Sequence, residues 1–304
     1  MNRIKVNVAT CNRCGLCIQV CPAQHLTLEG DTVQEMPSRE CIACGHCVAI
    51  CPVDALAHRD LSASGFDRLD PGAVPRPDAL RAFLRQRRST RRYQDRAVPR
   101  EAVEELLEVA RYAPTAHNAQ NVGFLATDDQ PFIQHLADLT VDAFRTIVAQ
   151  LRNPLIRTAL TLSVGKELAQ QALGSVPDFE RLVATREAGG DPIFRRAPVL
   201  LVAHADKNEY FGRDNCLYAT YNVMLEAVAR GLGTCLIGYF IVAWDRDRRV
   251  REALGLPKGH RAYAACTLGY PAVRYRRVPP RRPVGLAWQP EEGTAEHAAD
   301  AEKI

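Results

Sequence analysis

No apolar run in this chain approaches the length of a membrane-spanning helix; the longest, Ala197 to Ala205, suits a buried strand. Residues 1–10 lack the apolar core of an export signal, so a cytoplasmic location is expected. Charge of neither sign dominates. The 39 Lys and Arg against 35 Asp and Glu leave a net charge of +4, too mild to argue for a nucleic-acid partner. No G-x-G-x-x-G run follows a strand pattern and opens a helix, so the sequence offers no argument for a nicotinamide donor. What remains is a globular composition, 47% hydrophobic and 24% charged, over 304 residues. That length holds a small domain beside one of ordinary size.

Cysteine, by contrast, is abundant. Eight of the 11 fall in two copies of one phrase: Cys11-x2-Cys14-x2-Cys17-x3-Cys21-Pro22, and 30 residues on Cys41-x2-Cys44-x2-Cys47-x3-Cys51-Pro52. Zinc takes four ligands and has no use for the third step or the trailing Cys-Pro. A disulfide framework suits an oxidising compartment, which nothing here indicates. Three thiolates at i, i+3 and i+6 can wrap one side of an iron–sulfur cube, and the fourth must come from elsewhere. The spacing resembles that of bacterial ferredoxins with two 4Fe–4S clusters, in which the fourth Cys of each run serves the other cluster. The resemblance implies one cluster on Cys11, Cys14, Cys17 and Cys51, and another on Cys41, Cys44, Cys47 and Cys21. A purely structural cluster domain stays open. Gly15 and Gly45 hold the same slot in each loop, where a bulky side chain would crowd the inorganic core and a positive φ is useful. Cys216, Cys235 and Cys266 lie in apolar settings and are expected to be inert buried thiols.

Along the chain, Ile4 to Val8 alternates like a short strand, and Leu26 to Glu35 reads as a hairpin turning at Gly30-Asp31. The Ser-, Gly- and Pro-rich stretch from His58 to Asp78 reads as a linker. Helices are expected from Pro77 and from Pro99, the latter stopping at Ala113-Pro114. Strands are expected at Gly123 to Thr127, Val199 to His204 and Ala262 to Leu268. Residues 131–195 are mostly helical in pattern and carry no assignable role. A long helix from Phe211 to Arg230 places Leu217, Tyr221, Met224, Leu225 and Val228 on one apolar face, with Gly231 as its left-handed cap. Trp244 to Leu254 reads as a short helix.

The run Arg87-Arg88-Ser89-Thr90-Arg91-Arg92-Tyr93 combines guanidinium groups, which bind phosphate in two-pronged fashion, with hydroxyl donors. Arg277 and Arg281 near the far end of the domain would suit the same anion. On charge alone a solvated basic face or a nucleic-acid patch is the more ordinary reading. Four stretches together resemble the nitroreductase family, FMN-dependent α+β homodimers. They are Arg87 to Tyr93, Ala113-Pro-Thr-Ala-His-Asn118-Ala-Gln120, Gly231-Leu-Gly-Thr-Cys-Leu-Ile-Gly238, and Leu268-Gly-Tyr-Pro271 with its Arg-rich continuation. With the cysteine phrases, the chain resembles the ferredoxin-fused members. The resemblance implies that Arg87 and Ser89 bind the FMN phosphate and that Arg88 contributes at the isoalloxazine or through its backbone. It implies that Arg91 sits near N1 and O2 of the flavin. Pro114, Thr115, Ala116 and Asn118 would reach the flavin from the partner subunit. Leu236, Ile237 and Gly238 would line its edge with a backbone N–H toward N5, and Arg281, with Arg277, would complete the phosphate site. Thr115-Ala116 stands where Ser is frequent, and Asn121 where Pro often follows the Gln. His117 reads as a loop surface residue, and no dedicated catalytic acid is assigned.

These readings give an α+β protein: a two-cluster ferredoxin-like domain at 1–60, a linker at 61–76, a nitroreductase-like FMN domain at 77–288 and a disordered acidic tail at 289–304. The expected function is an oxidoreductase. Electrons from an external ferredoxin or other low-potential donor pass through two 4Fe–4S clusters to FMN, which reduces a small nitro, quinone or activated-alkene acceptor. The alternatives are an electron carrier with a protein acceptor, and a cluster-based redox sensor.

Overall fold

A computed structural model describes residues 3–288; the acidic stretch expected to be a disordered tail lies outside them. Of the described residues, those up to Val273 form one compact unit and residues 274–288 fall in a second.

The first unit begins with the cysteine module, which is two copies of one pattern. Strand β1 (Ile4–Val6) leads into the first loop and helix α1 (Leu16–Gln19), and then the hairpin β2 (Leu26–Glu29) and β3 (Thr32–Glu35). The second loop leads into α2 (His46–Ala49) and β4 (Leu56–His58), which pairs antiparallel with β1. The hairpin turns at Gly30, whose φ of +56° allows the tight reversal. The repeat is written in the backbone as well as in the sequence. Left-handed residues recur 30 positions apart: Arg13 and Ala43, Gly15 and Gly45, Gln24 and Asp54. Ile4, Leu26, Val33, Ala55 and Leu56 form a small core with Cys17 and Cys47. Glu35 fastens it. Its Oε1 accepts from the N–H groups of Arg3 and Ile4, each at 2.6 Å, and stands 3.4 Å from His25 Nε2.

After the exposed segment that follows β4 come α3 (Pro77–Leu84), α4 (Arg100–Glu108) and a short 3-10 turn over Val109–Tyr112. Then follow β5 (Gly123–Thr127), α5 (Gln130–Arg152), α6 (Pro154–Val164), α7 (Lys166–Gly174), α8 (Val176–Glu187), β6 (Val199–Asp206) and α9 (Gly212–Ala229). The unit closes with β7 (Gly233–Leu236), α10 (Gly238–Arg246), α11 (Arg248–Leu254) and β8 (His260–Gly269). The sheet runs β5-β6-β8-β7 with every neighbouring pair antiparallel, so the architecture is α+β. Leu200 and Val202 of β6 pack into the core beneath α5 and α10, whereas Val199 and Leu201 pack with Val103 and Leu106 of α4 and Val223 of α9. Both faces are covered, which is why the strand reads as an unbroken apolar run instead of alternating.

Two sequence expectations change here. The helix expected over Trp244 to Leu254 is two helices, because Asp247 is extended (φ −118°, ψ 120°) and caps α11 by accepting from Arg249 N at 2.8 Å. In α9 the buried face is Asn215, Cys216, Ala219, Thr220, Val223 and Ala227, not the large apolar face; only Met224 of that face is buried. Small residues let the helix lie close on the sheet, and Tyr218 and Tyr221 are left exposed.

Burial would raise the Glu35 pKa, but the N–H of Ile4, His25 and the N–H of Arg3 outweigh it and hold the carboxyl below its ordinary range. A depressed carboxylate pKa stabilises the fold above the unfolded value of about 4.3 and loses that contribution as pH falls through the folded value. The thermal midpoint of Glu35→Gln is therefore expected to fall below that of the native chain near neutral pH, and the gap to close as the buffer is acidified. A gap that does not change with pH would contradict this.

Candidate functional site

The folding of the module brings each group of four cysteines together. Cys21 joins Cys41, Cys44 and Cys47 around one cavity, and Cys51 joins Cys11, Cys14 and Cys17 around another. The crossing arises because the one-turn helices α1 and α2 carry their trailing Cys toward the opposite half. Among the described residues no three or more His, Cys, Asp or Glu converge closely enough to hold a single metal ion. A zinc ion would draw its thiolates to within about 4 Å of one another, given Zn–S bonds near 2.3 Å. Four thiols set around a space fit a multinuclear cluster instead. The backbone repeats as well: left-handed residues flank Cys14 (Arg13, Gly15) and Cys44 (Ala43, Gly45) alike. The N–H of His25 donates to Cys21 Sγ and that of Ala55 to Cys51 Sγ, both at 3.2 Å and at matching places in the repeat. Burial pushes the Cys47 thiol up to about 11 and raises that of Cys17, so loading either site must displace protons.

The two sites differ in their surroundings. Cys14 is exposed and Gly15 faces open space, with Arg13 paired to Asp31 at the rim. The second loop is covered. A side chain at Gly45 would press on Leu61 and Phe66 at 3.2 Å. His58 lies 3.6 Å from Cys41 Sγ through Nε2, and its Nδ1 accepts from the N–H of Asp60 at 3.1 Å. Burial lowers the His58 pKa, which favours the neutral ring. Sequence reading passed over His58. The repeat itself held the signal, since the equivalent position 30 residues earlier is Leu28.

In the larger domain the basic run is threaded along the sheet edge. Ser89 bridges Thr234 of β7 and Thr90 N donates to Thr234 O at 2.9 Å. Tyr93 bridges Pro271, and its hydroxyl donates to Thr90 O at 2.9 Å. Gly233 permits this approach, because any side chain there would overlap Thr90 and Pro271. Arg87, Arg88 and Ser89 are half-buried and Arg91 is exposed. Arg88 Nη1 donates to Arg87 O at 2.6 Å, yet Arg88 Nε and Thr234 Oγ1 are buried without a partner. Two orphaned polar atoms on facing segments mark a cradle that a polar ligand can complete, and FMN suits it. Thr234 is a residue the sequence reading had not singled out. Of the β7–α10 stretch, Leu236 is exposed, and Gly238 opens a helix with free space before it. Ile237 is buried, and its N–H is already given to Ala265 O at 2.8 Å, so it is not available to a flavin. Arg277 and Arg281 are exposed within the second unit. Cys216, Cys235 and Cys266 are all buried, and burial pushes Cys216 and Cys266 up to about 12.

The loop after Ala113 connects the two parts. Pro114 is exposed and Thr115, Ala116 and Asn118 are half-buried. Asn215 Oδ1 accepts from Ala116 N and Thr115 Oγ1 accepts from Gln120 N, bracing the loop from within. His117 and Asn118 are consecutively left-handed, at φ 53° and 55°. The strain of that geometry is offset by what Asn118 does: its Nδ2 donates to Ile42 O at 3.0 Å and Ala43 O at 3.1 Å, between Cys41 and Cys44. A cleft of about 570 Å³ lies beside the latch, with Pro22, Ile42, Cys44 and His46 on one wall and Pro114, Thr115 and His117 on the other.

Comparison with known proteins agrees with both halves. The model of the nitroreductase family matches residues 84–270, and that of a 4Fe-4S dicluster domain matches residues 3–52. The 4-nitrobenzoate reductase of Nocardioides sp. (strain LMS-CY) is 27% identical over 254 residues, covering 72% of this chain and 94% of that protein. The fold is similar to FMN-bound nitroreductase structures from Bacteroides fragilis (TM-score 0.50, 22% identity, 70% of this chain and 98% of that one) and Desulfitobacterium hafniense (TM-score 0.51, 17% identity, 69% and 97%). The fold and its cradles therefore define an FMN-dependent oxidoreductase with an iron–sulfur domain. The chain belongs to the nitroreductase family.

Replacing Arg88 by Ala removes the guanidinium whose Nε is unpartnered. FMN affinity, read by fluorescence titration of the flavin-depleted protein, is expected to fall by about 1.5–3 kcal/mol, the range for a hydrogen bond to a charged group. Unchanged affinity would take Arg88 out of the cradle.

Proposed function

We propose that the chain takes single electrons from an external ferredoxin or other low-potential donor at the first cysteine site, passes them to the second, and delivers them to FMN for reduction of a small organic acceptor. The observation that carries this reading is the Asn118 latch. It fixes the loop of the second site against the segment that the family resemblance assigns to the flavin. When bound, the two clusters supply one-electron steps, and FMN joins two of them into a two-electron reduction.

The residues have distinct tasks in this scheme. The exposed rim of the first site around Cys14 is accessible to a donor, whereas the second site is partly covered by Leu61, Phe66 and Asn118 and reaches the surface where Cys44 lines the cleft. Arg87, Arg88, Ser89 and Thr234 hold and orient the cofactor, and Arg91 provides a cation for charge gained on reduction. On the outer face of α9, Tyr218 and Tyr221 are exposed and Leu217, Leu225 and Val228 are half-buried, and a second copy would cover what its own chain leaves open. A homodimer would also let Pro114, Thr115 and Ala116 reach the partner's flavin. The acceptor class is a nitroaromatic, quinone or activated alkene, the first of these favoured by the substrate named for the Nocardioides relative. A cytoplasmic setting suits thiols kept reduced for cluster assembly.

Two hydrogen bonds of about 1 kcal/mol each hold the latch. Asn118→Leu, similar in size but without donors, is expected to slow flavin bleaching on the order of tenfold after rapid anaerobic mixing with reduced ferredoxin. Iron and FMN contents should stay at native values. Bleaching at the native rate, with both contents intact, would remove the latch from the route.

A further inference from the structure

The two cysteine sites are near copies, and their differences converge on one residue. The repeat gives each site one backbone N–H to its crossing cysteine, from His25 to Cys21 and from Ala55 to Cys51. Among the described residues, the second site alone has a side-chain contact of this kind, from His58 Nε2 to Cys41 Sγ at 3.6 Å. The tautomer follows from the other ring nitrogen. His58 Nδ1 accepts from the N–H of Asp60 at 3.1 Å, so the ring proton is on Nε2 and points at sulfur. Arg3 Nη1 donates to Cys41 O at 3.0 Å, but its charge is offset by Asp60, whose carboxylate lies 3.7 Å from Arg3 Nε. The equivalent of His58 in the first site is Leu28, which has no proton to give.

We infer that His58 is a potential-setting residue: its N–H to Cys41 raises the reduction potential of the second site and gives the pair of clusters a direction, from the exposed site to the latched one. The inference rests on the reading that each four-cysteine cradle holds a 4Fe–4S cluster. Two effects compete. Reduction adds negative charge to a cluster, and water around the exposed first site favours that charge, whereas the covered second site is less favourable. Burial alone would therefore leave electrons on the outer cluster. Hydrogen bonds to ligand sulfur act the other way, because they draw charge off the thiolate and stabilise the reduced form. His58 supplies that opposition where the cover of Leu61, Phe66 and Asn118 makes it necessary. With both cradles loaded, the transfer would move one electron from the group held by Cys11, Cys14, Cys17 and Cys51 to the group held by Cys21, Cys41, Cys44 and Cys47, with no bond or proton moving.

The test is an anaerobic redox titration of the cofactor-loaded chain followed by electron paramagnetic resonance, with iron and sulfide counted per chain. The native protein should carry iron and sulfide for two clusters and show two midpoint potentials. His58→Leu, which installs the residue of the sister site, should move one midpoint to more negative potential and leave the other in place. His58→Gln, whose amide N–H occupies the Nε2 position, should return it toward the native value. His58→Asn, too short to reach the sulfur, should behave like His58→Leu. Should His58→Leu lose iron, the Gln and Asn variants decide: potentials that differ support the inference, and equal ones overturn it. Two clusters with both midpoints unmoved in His58→Leu, or moved together, also overturn it. A native chain with iron for fewer than two clusters would instead overturn the two-cluster reading on which it stands.

Discussion

Each cysteine cradle is closed by a residue from the other half of the module, and this crossing constrains everything near it. Cys21 leaves the first loop to sit with Cys41, Cys44 and Cys47, and Cys51 returns to Cys11, Cys14 and Cys17. Neither half can then shift without disturbing both sites. The antiparallel pairing of β1 with β4 and the Glu35 carboxylate accepting from Arg3 and Ile4 hold the same two halves together by independent means. A rigid module is what electron transfer requires, since a cluster must keep its distance to its neighbour and its surroundings through the change of charge.

Rigidity within the module is useful only if it extends to the flavin domain. One side chain does most of this among the described residues. Asn118, held in the left-handed region by a loop that Asn215 and Thr115 brace, donates both amide hydrogens to the carbonyls of Ile42 and Ala43. The strained geometry and the latch explain each other, because an ordinary helical or extended Asn118 would aim its amide elsewhere. Symmetry is broken at this contact. Two loops of nearly identical backbone meet different fates: one stays open to solvent at Cys14, and the other is covered and given an extra donor in His58.

Much of this was legible in the sequence, for reasons that can be named. Three cysteines within seven residues, repeated after 30, constrain the chain locally, so the spacing and its resemblance to bacterial ferredoxins pointed to the two cysteine groups that the fold brings together. Strand β5 spans the residues expected, and β6 and β8 were visible as apolar runs because both sheet faces are covered. Other features depend on contacts remote in sequence. The orientation of α9 was not legible, since the helix is apolar on both sides and the sheet selects the side with smaller residues. Arg88 and Ser89 were visible as a basic run, but Thr234 enters only through a bridge across 145 residues. Asn118 was expected as a flavin contact from the partner subunit; its amide is given to Ile42 and Ala43, partners 76 and 75 residues away that no local pattern could reveal. The break at Asp247 was hidden because Asp is tolerated within a helix and reveals itself as a cap only once the backbone is extended.

The central claim is that the two parts form one conduit, with the second cysteine site as its inner end. The most direct measurement compares the native chain with Cys44→Ser, both carrying full FMN, after anaerobic mixing with a reduced low-potential ferredoxin, following flavin absorbance in time. The account predicts that the native flavin bleaches after the iron–sulfur absorbance changes, and that the variant flavin stays oxidised on that timescale. Bleaching of the variant as fast as the native chain would contradict it.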